Sequence, residues 1–513
     1  MSDGRRRGGA RRAPKSRRIP RAPRRTGEHS RGGARALRVR NHRVRGLPGT
    51  IGMTMLGALL PGSGYLYAGR RALGVLILLV WLGVGGYAAW YFRDGLTNSG
   101  AEATAALNLA FSPTRLKWLA GGMLVGLAIW AFVVFTSYRL VRPRQRRTWH
   151  TVVGNLLVVA LCLGMTYPVV QGARNVLAQA DLVETVFAKT KSPTTPEGRT
   201  RENPWAGTDR VNVLLLGGDG GEGRTGVRTD TVILLSINTH NGRTVMFSLP
   251  RNMMNAQFPE DSPLHDVYPD GYSGSLEDAY YMLNAIYGQV PVNHPGILGE
   301  SDNEGADAIK HAVSGSLGIP VDYYVLVNLA GFREIVDAMG GITVNVNERV
   351  AVNGNTDAGI PPTDYIEPGP DQHLDGFHAL WFARGRYGSD DYERMDRQRC
   401  TVDAIIDAAK PMNLFRHYTE LVEAGKDVVF TDIPLELAPA FVELALKVKD
   451  SKTRSVVFKP SEHFFSGDPD FDWMHETVQK AIHPQPKKKA GSSGGGAENP
   501  ENVCAYQPEG SAE

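Results

Sequence analysis

Residues 211–237 read VNVLLLGGDGGEGRTGVRTDTVILLSI, two apolar strand-like runs joined by a glycine-rich loop. The loop holds a literal G-x-G-x-x-G at Gly218, Gly220 and Gly223. A dinucleotide fingerprint needs a helix next, whose N-terminus meets the pyrophosphate. Here Arg224 to Asp230 leads into a second strand, and Asn238 to Asn241 stand where the ribose-binding acid belongs. The fingerprint is therefore rejected, and the glycines read as a tight loop that bares Asp219 at a strand end. Working outward, YYVLVN (323–328) and ITVNV (342–346) read as further strands, and 304–317, 330–339, 394–409 and 435–449 as helices. Strands alternating with helices over 208–483 predict an α/β layered domain.

Asp219 ends one strand and Asp230 opens the next. If the two strands are neighbours, both carboxylates lie at one sheet edge. One or two protein carboxylates plus a phosphate suit Mg²⁺, which keeps several of its waters. Arginines strengthen that reading. Arg228 stands two residues before Asp230, Arg251 follows the run MFSLP, and residues 384–399 (RGRYGSDDYERMDRQR) add Arg384, Arg386, Arg394, Arg397 and Arg399. On a helix Arg394, Arg397 and Gln398 share a face. Gly385 reads as a helix end that lets Arg384 and Arg386 point one way. Guanidinium forks match phosphate oxygens, so the pattern predicts a Mg²⁺-pyrophosphate site. A plain solvated face, pairing these arginines with Asp390, Asp391, Glu393 and Asp396, is the competing reading.

The 513-residue chain has a formal net charge of +4, but the charge is segregated. Residues 1–46 hold 17 Arg/Lys against 2 acids, 47–171 hold 10 against 2, and 172–513 hold 30 against 49. A single soluble domain does not divide its charge this way. Crossing a hydrocarbon core takes roughly 20 apolar residues, and 72–92, 118–137 and 151–170 are uncharged stretches of that size. A fourth stretch, 49–69, is broken by Pro61-Gly62-Ser63-Gly64 and has basic residues at both ends, so it reads as re-entrant or interfacial. The loop 93–117 is nearly neutral, whereas the next carries Arg139, Arg142, Arg144, Arg146 and Arg147. The positive-inside rule then gives three crossings, a cytoplasmic N-terminus and an extracytoplasmic 172–513. No cleavable signal peptide is expected. The 1–46 tail reads as disordered and lipid-attracted rather than nucleic-acid-binding, because no aromatic residue interrupts it for base stacking.

Residues 173–188 have helical spacing and extend the last crossing as a stalk. Residues 189–207 are rich in Pro, Gly and Thr and read as a flexible tether, about 25 Å in r.m.s. span, completing a stalk-and-linker region over 172–207. After Pro484 the chain becomes a low-complexity tail, 484–513. Three cysteines exclude a disulfide-dense scaffold and a Cys-rich zinc protein. Cys162 falls mid-membrane, whereas Cys400 and Cys504 both fall outside, in an oxidising setting. A disulfide between them is expected to pin the tail to the arginine-bearing helix. There is no G-x-S-x-G elbow, Walker A, C-x-x-C or H-x-x-x-H. Asp468, Asp470 and Asp472 read as a surface loop, lacking the Gly and terminal Glu of a calcium loop.

Six ordered motifs between about 211 and 410 resemble the LytR-CpsA-Psr family, also labelled cell envelope-related transcriptional attenuators. They are Asn212-Val213-Leu214-Leu215-Leu216-Gly217-Gly218-Asp219; Arg228-Thr229-Asp230-Thr231; Ser248-Leu249-Pro250-Arg251; Met282-Leu283-Asn284-Ala285-Ile286-Tyr287; Val336 to Ile342; and Leu374-Asp375-Gly376 through Ala383-Arg384-Gly385-Arg386 to Asp390-Asp391 and Arg394 to Gln398. Two positions depart from the family pattern: Asn252 replaces the usual Asp, and Met282 the usual Lys. The resemblance implies a central mixed β-sheet flanked by helices and an enzyme on the outer face of a bacterial cell membrane. That enzyme transfers a phosphoglycopolymer from an undecaprenyl-pyrophosphate carrier to N-acetylmuramic acid of peptidoglycan. Carried over, Asp219, Asp230 and Arg251 would be catalytic, with Asp219 and Asp230 coordinating Mg²⁺. Arg228, Arg384, Arg386, Arg394 and Gln398 would bind the pyrophosphate, and the lipid tail would occupy an apolar tunnel. Either Asp219 or Asp230 is the candidate general base. The alternative is a non-catalytic, membrane-tethered protein that binds polyprenyl phosphates and regulates or scaffolds wall assembly; a third reading, a DNA-binding attenuator, would require a sequence-selective tail.

Overall fold

The computed structural model of the chain describes residues 46–97, 108–142, 148–187, 192–218, 228–354, 359–408, 429–483 and 504–507. The basic tail before Gly46, Asp219 with most of its glycine loop, and the greater part of 484–513 lie outside these residues.

The helices that come first include α1 (Gly46–Leu59), α2 (Ser63–Tyr67), α3 (Arg71–Thr97), α4 (Pro113–Val141) and α5 (Thr148–Val186). The last three each contain one of the uncharged stretches and are long and apolar enough to cross a membrane. They expose large apolar side chains such as Leu79, Trp118, Phe132 and Leu163, more than a soluble surface tolerates. The fourth apolar stretch is split between α1 and α2. At the break Gly62 has φ +105°, and a Cβ there would sit 2.5 Å from the Gly74 carbonyl oxygen, so only glycine fits the close approach to α3. Neither piece, at 14 and 5 residues, reaches spanning length. Both pack on α4, where Trp130 Nε1 donates to Ala58 O (3.0 Å) and Tyr65 and Thr136 hydroxyls meet at 2.6 Å. α5 runs on without a break to Val186, forming the stalk in spite of Pro168.

Ten strands follow among the described residues: β1 (Arg210–Gly218), β2 (Thr229–Asn238), β3 (Thr244–Leu249), β4 (Tyr323–Asn328), β5 (Ile342–Val346), β6 (Val350–Val352), β7 (Asp364–Ile366), β8 (Gly369–Leu374), β9 (Val429–Thr431) and β10 (Thr453–Val457). Six make a mixed sheet in the order β10-β3-β2-β1-β4-β9, with β1 antiparallel to β2 and parallel to β4. Among the described residues the α-helices that accompany them are α6 (Pro263–Val267), α7 (Leu283–Asn293), α8 (Glu304–Leu317), α9 (Leu329–Ala338), α10 (Gly376–Arg384), α11 (Asp391–Ala408), α12 (Ala438–Lys449) and α13 (Phe471–Ile482). Both sheet faces are covered. Leu214, Leu216 and Leu234 pack with Ile309 and Val313 of α8 and Met474 and Val478 of α13. Val211 and Val213 pack with Leu444 and Val448 of α12. Burial on both faces is why β1 and β2 read as continuous apolar runs. ITVNV is a strand, but β5 pairs with β8 in a separate two-stranded ladder.

Residues 192–207 differ from a free tether. Ser192 Oγ and Thr194 Oγ1 each donate to Asp307 Oδ1 at 2.6 Å, and Arg199 Nη2 donates to Asp322 Oδ1 at 2.6 Å. Next to them Lys310 Nζ, 1% exposed, donates to Asp432 Oδ2 (2.6 Å) and to the Thr194 carbonyl (3.3 Å). A buried charge is tolerated only when it is paired and its remaining donors are satisfied. The segment supplies part of that satisfaction, so it belongs to the folded domain. Composition alone suggested flexibility because Ser, Thr and Pro serve a linker and a polar strap equally well.

Residues 504–507 lie against the domain. Cys400 of α11 and Cys504 are joined by a disulfide with Cα atoms 5.6 Å apart. The Asn345 and Asn347 amides donate to the Cys504 and Ala505 carbonyls (2.9 and 3.1 Å), and Gln507 N donates back to Asn347 Oδ1 (2.8 Å). The described piece of tail therefore lies along β5.

Candidate active site

The β1–β2 hairpin builds one wall of the site. The register shifts between Gly217 and Gly218, where Gly218 faces Thr229. A Cβ on Gly218 would lie 2.8 Å from the Arg228 carbonyl oxygen, so the strands close here only because the side chain is absent. An antiparallel strand, not a helix, follows the glycine loop, in keeping with rejection of the dinucleotide reading. Asp219 lies outside the described residues, one residue past β1.

Asp230 sits at the start of β2, its side chain 42% exposed. Arg251, just past the end of β3, donates from Nη1 to Asp230 Oδ1 (2.8 Å) and from Nε to Asp391 Oδ2 (3.2 Å). Asp391 opens α11, and its other oxygen takes Arg394 Nη1 at 3.0 Å. Arg394 in turn donates from Nη2 to the Asp230 carbonyl (3.4 Å). The four residues form a closed ring that fixes the ends of β2, β3 and α11 together. Burial lowers Arg394 to about 10, partly offset by Asp391, so it remains a cation at neutral pH. For Asp230, burial would raise the carboxyl. The charge and hydrogen bond of Arg251, with the charges of Arg394 and Arg386, outweigh burial and hold it below the usual range.

A depressed carboxylate stabilises the fold above its unfolded pKa, and that contribution is lost as pH falls through the folded value. Stability tied to Asp230 should therefore persist to about pH 4 and fall below it. Thermal melts over that window should show a steeper acid loss in the wild type than in Asp230→Asn. Parallel curves would remove the carboxylate from the acid response.

Beneath the ring lies a cavity of about 370 Å³. Its floor is the sheet face of Leu215, Ile233, Leu235, Val325 and Val327, and its roof includes Phe332 and Ile335 of α9 and Val402, Ile405 and Ile406 of α11. Asp230, Arg384, Arg386, Arg394 and Gln398 line its polar part. The cavity is thus apolar within and cationic at one end. Arg384 lies 5.2 Å over the Trp381 ring. Among the described residues no carboxylate pairs with Arg384 or Arg386, which are both exposed.

Two expected residues stand apart. Arg228 is exposed and donates to the Ala279 carbonyl (3.4 Å), away from the cavity lining. Arg397 shares its helix face with Arg394, yet its guanidinium turns to the Phe382 carbonyl (2.8 Å), the Gly385 carbonyl and Ser389 Oγ (3.2 Å). It grips the turn that presents Arg384 and Arg386. Asp391, which entered the sequence reading through the competing solvated face and the last family motif, does pair with Arg394 as that face supposed, but it also binds Arg251 and so joins the two arginines. The missed signal was its place at the first turn of the helix that carries Arg394 and Gln398.

Among the described residues no group of three or more His, Cys, Asp or Glu is placed to hold a metal ion. Mg²⁺ requires less, since one or two carboxylates suffice beside phosphate oxygens and water. Asp230 fits that demand, with one oxygen on Arg251 and an exposure that leaves the group open to the cavity end.

The LytR_cpsA_psr family model matches residues 178–463, and the chain belongs to that family. Similar curated proteins include the polyisoprenyl-teichoic acid–peptidoglycan teichoic acid transferase TagU of Enterococcus faecalis, 30% identical over 44% of this chain and 62% of the relative's length. TagU of Oceanobacillus iheyensis is 28% identical over 57% of this chain and 80% of its own. The chain therefore spans less than two thirds of the first of these relatives. Among solved structures, B. subtilis TagV aligns with a TM-score of 0.36 at 23% identity, covering 53% of this chain and 96% of that one.

Proposed function

We propose that the chain is a membrane-anchored phosphotransferase that moves a phosphoglycopolymer from a polyprenyl-pyrophosphate carrier to the N-acetylmuramic acid of peptidoglycan. One observation carries this reading: an apolar cavity ends in Arg384, Arg386, Arg394 and Gln398 beside the Asp230 carboxylate. An amphiphile with a long hydrocarbon tail and a pyrophosphate head has the matching polarity. The tail, undecaprenyl in the reading drawn from the family, lies against the sheet face, and the arginines take the phosphate oxygens.

Phosphoryl transfer is largely a matter of positioning and charge stabilisation. The sugar hydroxyl attacks the phosphorus that bears the polymer, a new phosphodiester forms, and polyprenyl phosphate leaves. Arg384 and Arg386 face the charge that grows on the leaving phosphate, while Arg394 and Arg251 hold Asp230 ionised. Asp230, with Asp219, would hold Mg²⁺, which supplies charge neutralisation on the pyrophosphate. A carboxyl held below its usual range is a weak base, which counts against Asp230 as the group that accepts the hydroxyl proton.

Helices α3 to α5 cross the cell membrane in this reading, with the N-terminus in the cytoplasm and 172–513 outside. The Arg-rich 139–147 loop and the Cys400–Cys504 disulfide support that side assignment. No nucleic-acid partner is invoked.

The test is transfer by the full chain in detergent, with defined lipid-linked donors, Mg²⁺ and a peptidoglycan acceptor. Asp230→Ala should lose transfer by on the order of a hundredfold or more while still binding the donor. Binding without transfer in the wild type would instead establish the non-catalytic alternative.

A further inference from the structure

At the other end of the sheet lies a second charged cavity, of about 410 Å³. Its lining includes Arg210 at the first residue of β1, Arg243 in the β2–β3 turn, and Lys452 and Arg454 at the start of β10. Asn238 and Asn241 add neutral amides, and no carboxylate lines it. Asp209, next in sequence, faces His240 at 3.9 Å. Among the described residues none of the four cations forms an ion pair.

Part of each half-buried arginine has a structural task. Arg210 donates from Nε to Ser236 Oγ (2.8 Å) and from Nη2 to the Ser236 carbonyl, stapling β2. Arg454 donates from Nη2 to the Ala481 carbonyl (2.6 Å) at the C-terminal end of α13. These are bonds to neutral acceptors. They fix the two guanidiniums in place, leave other N–H donors of each fork unused, and do nothing to cancel the charge. Burial and then the charge of Arg454 lower the pKa of Arg210, as expected for cations gathered without a counter-ion. Arg243 and Lys452 are exposed and have no comparable task in the fold.

Residues 172–513 hold 30 basic and 49 acidic residues, so four cations meeting here without a carboxylate run against the local composition. Planar forks beside an ammonium and two amides match the oxygens of a phosphate group. β1 separates this cavity from the Asp230 ring by eight residue steps, about 26 Å, too far for one pyrophosphate to touch both. It opens at the sheet end where the chain enters β1, beside Val211 and Val213, whose cluster also takes Phe187 and Trp205 from the segment that follows the stalk. The stalk helix itself touches β9, at the opposite edge of the sheet.

We infer that the Arg210–Arg243–Lys452–Arg454 cavity is a second anion site, which takes the phosphate headgroup of an anionic membrane phospholipid and seats the acidic domain on the lipid surface. The inference rests on the proposal that α3 to α5 cross the membrane. With the domain held at this second point, across the sheet from the edge that the stalk helix touches, the arginine-lined end of the catalytic cavity keeps one orientation above the membrane. Without the site, a domain of net negative charge is repelled by an anionic leaflet.

The full chain, reconstituted in nanodiscs of phosphatidylcholine alone or mixed with phosphatidylglycerol, is compared by amide hydrogen exchange. Peptides covering 238–245 and 450–456 should exchange several-fold more slowly in the mixed discs, and the difference should shrink as salt is raised. The Arg243→Glu/Lys452→Glu variant, which leaves the Ser236 and Ala481 bonds intact, should lose the protection, while peptides covering 384–399 stay unchanged. Equal exchange in the two discs, with the chain incorporated in both, overturns the headgroup site alone. A chain that enters neither disc overturns the membrane reading and the inference with it. Protection in phosphatidylcholine discs on adding inorganic phosphate or soluble poly(glycerol phosphate), with none from phosphatidylglycerol, overturns the lipid assignment in favour of the polymer.

Discussion

Asp391→Asn is expected to abolish transfer and to destabilise the domain by about 3 kcal/mol. Both effects come from one carboxylate that serves two arginines, taking Arg251 Nε at 3.2 Å and Arg394 Nη1 at 3.0 Å. The Arg394 side chain is only 3% exposed, and its Nε has no hydrogen-bond partner. Removing Asp391's charge leaves a guanidinium buried without its counter-ion, the costly case for internal ion pairs. The Lys117–Glu184 pair, with side chains 53% and 48% exposed, makes the contrast. Breaking it should cost no more than about 1 kcal/mol. The Asp391→Asn/Arg394→Met double variant separates the two consequences. With both partners gone, stability should return most of the way, since replacing a buried pair by apolar groups is often nearly neutral. Transfer should stay lost, because the cavity has lost a cation and Arg251 is no longer held from both sides. Chemical denaturation and the transfer assay read the two quantities independently. A single variant that unfolds like the wild type would show that the ring carries no structural load.

The parts legible in the sequence are those whose signals are local. Helix α8 begins after Asn303, whose side chain accepts from Ala306 N, and ends at Gly318 in the left-handed conformation. Both are cap signals carried by one residue, and the expected 304–317 matches the helix. The strands 211–217 and 323–328 were readable because burial on both faces leaves an uninterrupted apolar run. What escaped depends on distant partners. ITVNV has the residues of a strand, but nothing in it tells β8 from the main sheet as a neighbour. Helical spacing placed Arg394 and Arg397 on one face. It could not say that the Arg397 guanidinium ends on the carbonyls of Phe382 and Gly385, because that depends on where the preceding helix stops. The 192–207 segment has a linker's composition, and its role is set by Asp307, Asp322 and Asp432, more than a hundred residues away. Long-range polar burial leaves no periodic trace in the chain.

Filling the catalytic cavity should separate its two halves. Val402 lies on α11 one turn beyond Gln398 and lines the apolar part. In a packed core, Val402→Phe would be an overpacking change costing about 1–3 kcal/mol. Here the ring has a cavity of about 370 Å³ to enter, so stability should stay within about 1 kcal/mol of the wild type. The volume is then denied to the hydrocarbon tail. Each methylene kept from burial forfeits about 0.8 kcal/mol, so excluding about two of them raises Kd for a long-chain donor roughly tenfold. A water-soluble donor with a short lipid does not use that depth, and its kcat and KM should be unchanged, because Arg384, Arg386 and Asp230 are untouched. The split between the two donors is the decisive quantity. A loss shared equally by both would mean that the ring disturbs the arginines rather than the tail, and a large drop in stability would mean that the cavity is not open to it. A long-chain donor that still binds at wild-type strength would place the hydrocarbon elsewhere and remove the observation on which the proposed function stands.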